Sequence, residues 1–246
     1  MNSLERLCAF EDVIKTCKSQ EQLIGTGNPL APILVIGKES AYKAQSKEEI
    51  KEHIKGNIKA VENCFYNGDL VNLYLQGHPQ SHTHTWNVYQ KLFDYIIYEN
   101  EQQRGKGTAL DFGTWGFFTE MNNTASPKTA DAERNLRIEM FKHPFFRDFS
   151  VVILACSNYI INQGDKRQID ETFAVRYDKE RDCRIGGPVY EKGQWFYTHH
   201  SEDGKRLVIH TRQLSQYYND LMLQDMAKIV RWHLLNSGKF PNHIRG

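Results

Sequence analysis

Few of the features that would narrow this chain to a special class are present. Its five cysteines, Cys8, Cys17, Cys64, Cys156 and Cys183, are scattered and contain no C-x-x-C pair. An odd, dispersed count argues against a disulfide framework or a cysteine-built metal centre and predicts reduced thiols. Only 7 prolines occur in 246 residues, and no low-complexity tract or internal repeat is found. No run approaches the roughly 18 apolar residues that would cross a bilayer. The first residues carry charge and no apolar h-region, so a secretory signal is not expected. Excess charge is also missing: 31 Lys and Arg stand against 30 Asp and Glu, for a net charge of +1. A strong sequence-independent affinity for a phosphate backbone is therefore not indicated, although a local basic face remains open. The expectation is a cytoplasmic, monomeric protein with no membrane partner, no cofactor and no metal.

What is present is an ordinary globular composition, 40% hydrophobic and 25% charged, enough to bury a core. Apolar residues at helical spacing predict helices over residues 3–24, 87–98, 131–142 and 215–236, with a Lys- and Glu-rich solvated helix over 47–63. Ile33-Leu34-Val35-Ile36 is a short, wholly apolar, β-branched-rich run ending at Gly37, as expected of a strand buried on both faces. Phe117-Phe118-Thr119, residues 150–155 and Leu207-Val208-Ile209-His210 read likewise. Strands alternating with helices predict an α/β fold, a three-layer α/β/α domain over residues 1–246 around a central four-stranded parallel sheet. Residues 165–206 break the alternation. There Asp203-Gly204 separates two strand-like runs, which predicts an inserted antiparallel hairpin strand beside the fourth parallel strand.

Ligands of open α/β sheets bind beyond the carboxyl ends of the strands. The informative residues are then Gly37-Lys38-Glu39-Ser40, Glu120-Met121-Asn122-Asn123, Cys156-Ser157-Asn158 and His210-Thr211-Arg212-Gln213-Leu214-Ser215. Several have a plain structural alternative. Glu39 suits a helix start, His210 a satisfied strand-end position, and Glu120 a loop ion pair. Asn122 and Asn123 suit turns, and Arg212 suits either a phosphate or the surface. The segment from Gly77 to Trp86 holds His78, His82 and His84. It reads as a polar loop lining a site more readily than as a metal site, since no Cys or acid accompanies them. His199-His200 reads as a solvated turn.

These segments resemble the signature loops of the uracil-DNA glycosylase superfamily. Gly37-Lys38-Glu39-Ser40-Ala41 lines up with a loop reading Gly-Gln-Asp-Pro-Tyr in one branch, and Glu39 falls on its acidic position. Gly27-Asn28-Pro29 followed by Ile33-Leu34-Val35-Ile36-Gly37 resembles the lead-in of the iron–sulfur branch. His210-Thr211-Arg212-Gln213-Leu214-Ser215 keeps the His, Leu and final Ser of a loop reading His-Pro-Ser-Pro-Leu-Ser. Phe118-Thr119-Glu120-Met121-Asn122 puts Glu120 where that iron–sulfur branch has a base-reading Asn.

The resemblance implies cleavage of an N-glycosidic bond in DNA or a nucleotide-like small molecule. Glu39 would activate water, and His210 would donate to the leaving base. Leu214 would be the wedge, either Trp86 or Tyr42 the stacking aromatic, and Gly37, Lys38, Ser40, Asn122, Asn123, Arg212 and Ser215 the remaining binding set. Both loop prolines are missing, and no cluster-binding cysteine pattern is present. An ionised Glu120 accepts but does not donate, so a base offering N–H groups fits better than plain uracil. The alternatives are a binding protein that retains the fold without the reaction, and a hydrolase of a free nucleoside with Leu214 in the core.

Overall fold

The four apolar runs form the middle of one sheet. A computed structural model describes residues 1–38, 46–69, 84–102, 110–123, 131–177, 190, 193–216 and 218–240. In chain order its elements are α1 (Ser3–Gln20), β1 (Thr26–Gly27), β2 (Ile33–Gly37), α2 (Lys47–Tyr66), α3 (His84–Tyr98), α4 (Phe112–Trp115) and β3 (Gly116–Glu120). Then follow α5 (Asp131–Phe141), α6 (Pro144–Arg147), β4 (Val151–Ala155) and a 3-10 turn (Ser157–Tyr159). The last are β5 (Asn162–Gln163), β6 (Lys166–Arg167), α7 (Gln168–Phe173), β7 (Arg176–Tyr177), β8 (Phe196–His200), β9 (Leu207–Thr211) and α8 (Asp220–Asn236). The strand order of the main sheet is β1-β3-β2-β4-β9-β8-β7. The β3-β2-β4-β9 pairings are parallel and the outer ones antiparallel.

The chain is thus mixed α/β with a mostly parallel central sheet, as its pattern predicts. The β8–β9 hairpin also forms as expected. Gly204 takes a φ of 68° in its turn, and Asp203 accepts from Ser201 Oγ at 2.7 Å and the Lys205 amide at 3.0 Å. The sheet is wider than expected, because β1 and β7 add two-residue edge strands that need no apolar run of their own. His199-His200 is the end of β8 rather than a solvated turn, and His199 is buried.

Two apolar clusters flank the sheet. Leu34, Ile36, Phe117, Val152, Leu154 and Val208 face residues of α1, α2, α5, α6 and α7. Ile33, Val35, Phe118, Ile153, Leu207 and Ile209 face α3, α4 and α8. Alternate residues of each strand supply opposite clusters, so the parallel strands are apolar throughout. No helix among the described residues is long and apolar enough to cross a membrane.

The helices differ from expectation in detail. α1 stops at Gln20 because Glu21 turns into the left-handed region with a φ of 50°. Leu23 and Ile24, which look like its continuation, reach the core from the following loop. α2 carries a buried stripe, Ile54, Ile58 and Val61, beneath its charged surface. α8 begins at Asp220, with Asn219 capping the Met222 amide at 2.8 Å, which leaves Leu221 exposed rather than buried.

The end of β3 is fastened by an arginine with no solvent exposure. Arg137 of α5 donates to Leu23 O at 2.7 Å, Thr119 Oγ1 at 2.8 Å and Glu120 O at 2.6 Å. Burial lowers its pKa to about 10, so the guanidinium stays charged at neutral pH and its hydrogen bonds are charge-assisted. Nearby, Asn123 accepts from the Leu23 amide at 2.6 Å and donates to Glu21 O at 2.9 Å. Asn123 therefore clasps the loop after α1.

Removing the guanidinium leaves several buried acceptors unmet, each costing about 1–3 kcal/mol. Arg137→Met should lower the unfolding free energy by about 3–5 kcal/mol in urea titrations. The exposed-face change Lys142→Met should stay within about 0.5 kcal/mol. An Arg137→Met loss below about 1 kcal/mol would show that the network is not a tie.

Candidate functional site

The carboxyl ends of β2, β3, β4 and β9 form a crest. Register sorts its residues into two rows: Glu120, Gly37, Ala155 and Thr211 stand side by side, and so do Thr119, Ile36, Leu154 and His210. Adjacent rows point to opposite faces of the sheet. The first lies toward α3 and α8, the second toward α5 and α7. Glu120 and His210 are therefore three strands apart and on opposite faces. The convergence of Glu120 and His210 on one pocket, which the sequence suggests, does not occur.

Gly37 lets the Glu120 carboxylate approach closely. A Cβ there would lie 2.3 Å from Glu120 Oε2, so a larger residue would push that carboxylate aside. The β2–β3 ladder runs on past both strands, with Met121 N donating to Gly37 O at 2.9 Å and Asn122 N to Lys38 O at 3.0 Å. Asn122 is fully buried. On the α3 side Tyr89 stacks on Phe118, with ring centroids 5.6 Å apart. Burial pushes the Tyr89 hydroxyl pKa well up, and the fields of Glu120 and Cys156 add to the rise. Burial and Glu120 also raise the Cys156 thiol. Glu120, Tyr89 and Cys156 thus share one electrostatic environment. Tyr89 escapes a reading of the sequence because it sits on the apolar face of α3 like its core neighbours. Trp86 is partly buried and meets Phe112 edge-on at 6.1 Å.

The other row centres on His210. Its Nε2 lies 2.6 Å from Ser157 O. A carbonyl only accepts, so Nε2 carries the proton and Nδ1 keeps the lone pair. Trp195 packs edge-on at 5.1 Å and Tyr197 stacks at 6.5 Å. Burial lowers the pKa to about 4; the Ser157 carbonyl pulls upward against it, and His199 pushes further down. The ring is neutral at physiological pH, and its N–H is engaged. The expected donation from Nε2 to a leaving base would require that bond to break. Next to it, Asp170 accepts from Asn162 Nδ2 at 2.6 Å, Arg167 Nε at 3.0 Å and His199 Nδ1 at 3.3 Å. Burial works to raise the Asp170 pKa, but its His199, Asn162 and Arg167 hydrogen bonds hold it below the ordinary value.

Leu214 is not placed as a wedge. It has no solvent exposure and belongs to the cluster with Ile209, Leu223 and Met226, because the turn after β9 folds it back under α8. Arg212 donates to Gly193 O at 3.3 Å, and Ser215 is partly buried in the same turn. Lys38 Nζ sits 5.0 Å from the Tyr159 ring centroid. Glu39, Ser40, Tyr42, His78 and His82 lie outside the described residues. His84 starts α3, with its ring 6.0 Å from Tyr218. Among the described residues no group of three His, Cys, Asp or Glu side chains is arranged to hold a metal ion.

The state of His210 sets a pH signature. Its pKa falls from 6.5 unfolded to about 4 folded, so the unfolded chain takes up the proton first as pH drops. Its contribution is complete above about pH 6.5 and is lost as pH falls toward 4. Between pH 7 and 4 wild type should lose about 2–4 kcal/mol more stability than His210→Gln. Equal pH dependence in the two proteins would show that the ring is not held neutral. No known protein-family model matches this chain, and no curated protein matches it significantly.

Proposed function

We propose that this chain is a divergent glycosylase-like hydrolase of the uracil-DNA glycosylase superfamily, cleaving an N-glycosidic bond to a base that offers N–H donors. The observation that carries the reading is the Glu120 carboxylate at the end of β3, in the room left by Gly37 and beside Tyr89. An ionised carboxylate there accepts from an amino or ring N–H group and discriminates against a carbonyl-only edge. The parallel β3-β2-β4-β9 order supports it, since the two loop segments that resemble the family follow β2 and β9. The finer arrangement, a three-layer domain around a four-stranded parallel core, belongs to the same proposal.

Glu39 takes the proton of an attacking water, whose oxygen bonds to the sugar carbon as the carbon–nitrogen bond breaks. The base leaves with the bonding electron pair and is then protonated. His210 is a positioning residue here, because its N–H holds the turn after β4. Leu214 lies in the core, so nothing at that position fills a gap left in a duplex. This favours a single-stranded or nucleotide substrate, which needs no costly base flipping. The engaged His210 N–H also favours a second reading, binding without cleavage.

Base release from labelled single-stranded oligonucleotides and from nucleotides, followed by chromatography, separates the two. Cleavage should fall by about 10²–10⁴ in Glu39→Gln. Glu120→Gln should shift preference toward carbonyl-bearing bases. Saturable binding with no release across the panel would establish the second reading, and neither binding nor release would remove both.

A further inference from the structure

Beside the crest, between α5 and the turn after β4, lies a cavity of about 320 Å³ walled by Arg134, Asn135, Asn158, Tyr159, Lys166 and Gln168, with Ile161 completing it. Its size is at the lower end of the range of small-ligand sites, ~300–1,000 Å³. None of these side chains is a carboxylate. Two are cations, from separate elements: Arg134 on α5 and Lys166 on β6. Three are amides. Gln168 has its Oε1 occupied by the Ile161 amide at 3.1 Å, which orients its NH₂ group as a donor. Tyr159 forms an aromatic wall, with the Arg134 guanidinium 5.9 Å from its ring centroid and Lys38 Nζ 5.0 Å from it. Lys38 and Arg134 thus flank one phenol ring, and Lys166 shares the cavity wall with it, in a protein whose net charge is only +1.

We infer that this cavity is a binding site for a phosphate group, and that the substrate at the crest is a phosphorylated nucleoside whose phosphate it holds. The second half of the inference rests on the glycosylase-like reading; the first does not. A guanidinium fork and an ammonium from separate segments, supplemented by amide donors, suit a multiply charged tetrahedral anion. The turn that supplies Asn158 and Tyr159 is held by His210 through Ser157 O. Ser157 itself is a non-glycine residue with a φ of 52°, a conformation that needs such support. Lys38 follows Gly37 directly and reaches the Tyr159 ring on the α5 side, while Glu120 pairs with Gly37 across the same strand end and stands on the α3 side. Another cavity, of about 610 Å³, opens near the start of β4 and is walled by both signs of charge, Asp148, Glu202 and Asp203 among Lys205, Arg206 and Lys239. Its Arg206 is held by Phe173 O and Arg147 O. It lacks the one-sided donor set.

Isothermal titration of the full chain with inorganic phosphate, adenosine 5′-monophosphate and adenosine tests this. Phosphate should bind in the millimolar range and the monophosphate about tenfold tighter or more. The double variant Arg134→Gln/Lys166→Gln should weaken both by about tenfold or more and leave adenosine unaffected. Lys205→Gln/Lys239→Gln, at the other cavity, should change nothing. Absence of phosphate binding up to about 10 mM overturns the inference. So does binding that survives the Arg134/Lys166 change or is lost equally in the Lys205/Lys239 variant. If phosphate binding depends on Arg134 and Lys166 but the nucleoside adds no affinity, the anion site stands and the base-reading role of Glu120 fails.

Discussion

A guanidinium without access to water organises the functional end of this protein. Arg137 reaches from α5 to the carbonyls of Leu23 and Glu120 and the hydroxyl of Thr119. Leu23 lies in the loop after α1, while Thr119 and Glu120 close β3, where the backbone begins to lose its ladder partners. Burying the charge costs free energy, and its donors offset that cost only if all of them find acceptors together. The network therefore forms as a whole or not at all. It ties the loop after α1, the end of β3 and the face of α5 to one geometry. The backbone of Glu120 is one of its anchors, so the position of the carboxylate inherits the rigidity of the core.

The period of a β-strand then divides the crest. Glu120 shares a row with Gly37, and His210 shares the adjacent row with Ile36 and Leu154. One residue of offset changes the face. Linear proximity to a strand end is thus a weak guide to convergence. On one side a carboxylate and a phenol lie together in a low-dielectric setting, coupled electrostatically to the Cys156 thiol. On the other a neutral imidazole is locked by a carbonyl and two aromatic rings. The β2 and β4 ends lie between the two sides, and cooperation between them runs through those strands.

The fold was largely legible because its signals were strong and local. Four apolar runs and an Asp203-Gly204 turn carry the sheet by periodicity and turn chemistry alone. What escaped depended on tertiary context. Leu23 and Ile24 keep helical spacing but follow a left-handed residue, Glu21, whose conformation a reading of the sequence does not reveal. The edge strands at Thr26–Gly27 and Arg176–Tyr177 are too short to show a pattern. In the site, Gly37 and Glu120 were identified separately, but their mutual dependence is a contact between neighbouring strands. Arg137 is one of several charges on the helix expected over residues 131–142, and its burial depends on tertiary context; His199 looked solvated beside His200. Leu214 was read both as core and as wedge, and its burial decides for the core.

Net charge says little about a local site for a reason of scale. At physiological ionic strength a charge is felt over about 8 Å, far less than the span of the molecule. A sum of +1 averages over patches that a ligand never meets together. Lys38 and Arg134 lie within that screening distance of the Tyr159 ring, and Lys166 walls the same cavity. The proposed anion site is thus a local basic cavity in a nearly neutral protein. That arrangement discourages the sliding, sequence-independent attachment to duplex DNA that a basic protein shows. It leaves room for selective capture of one phosphate, the charge pattern that a nucleotide or the end of a single strand requires.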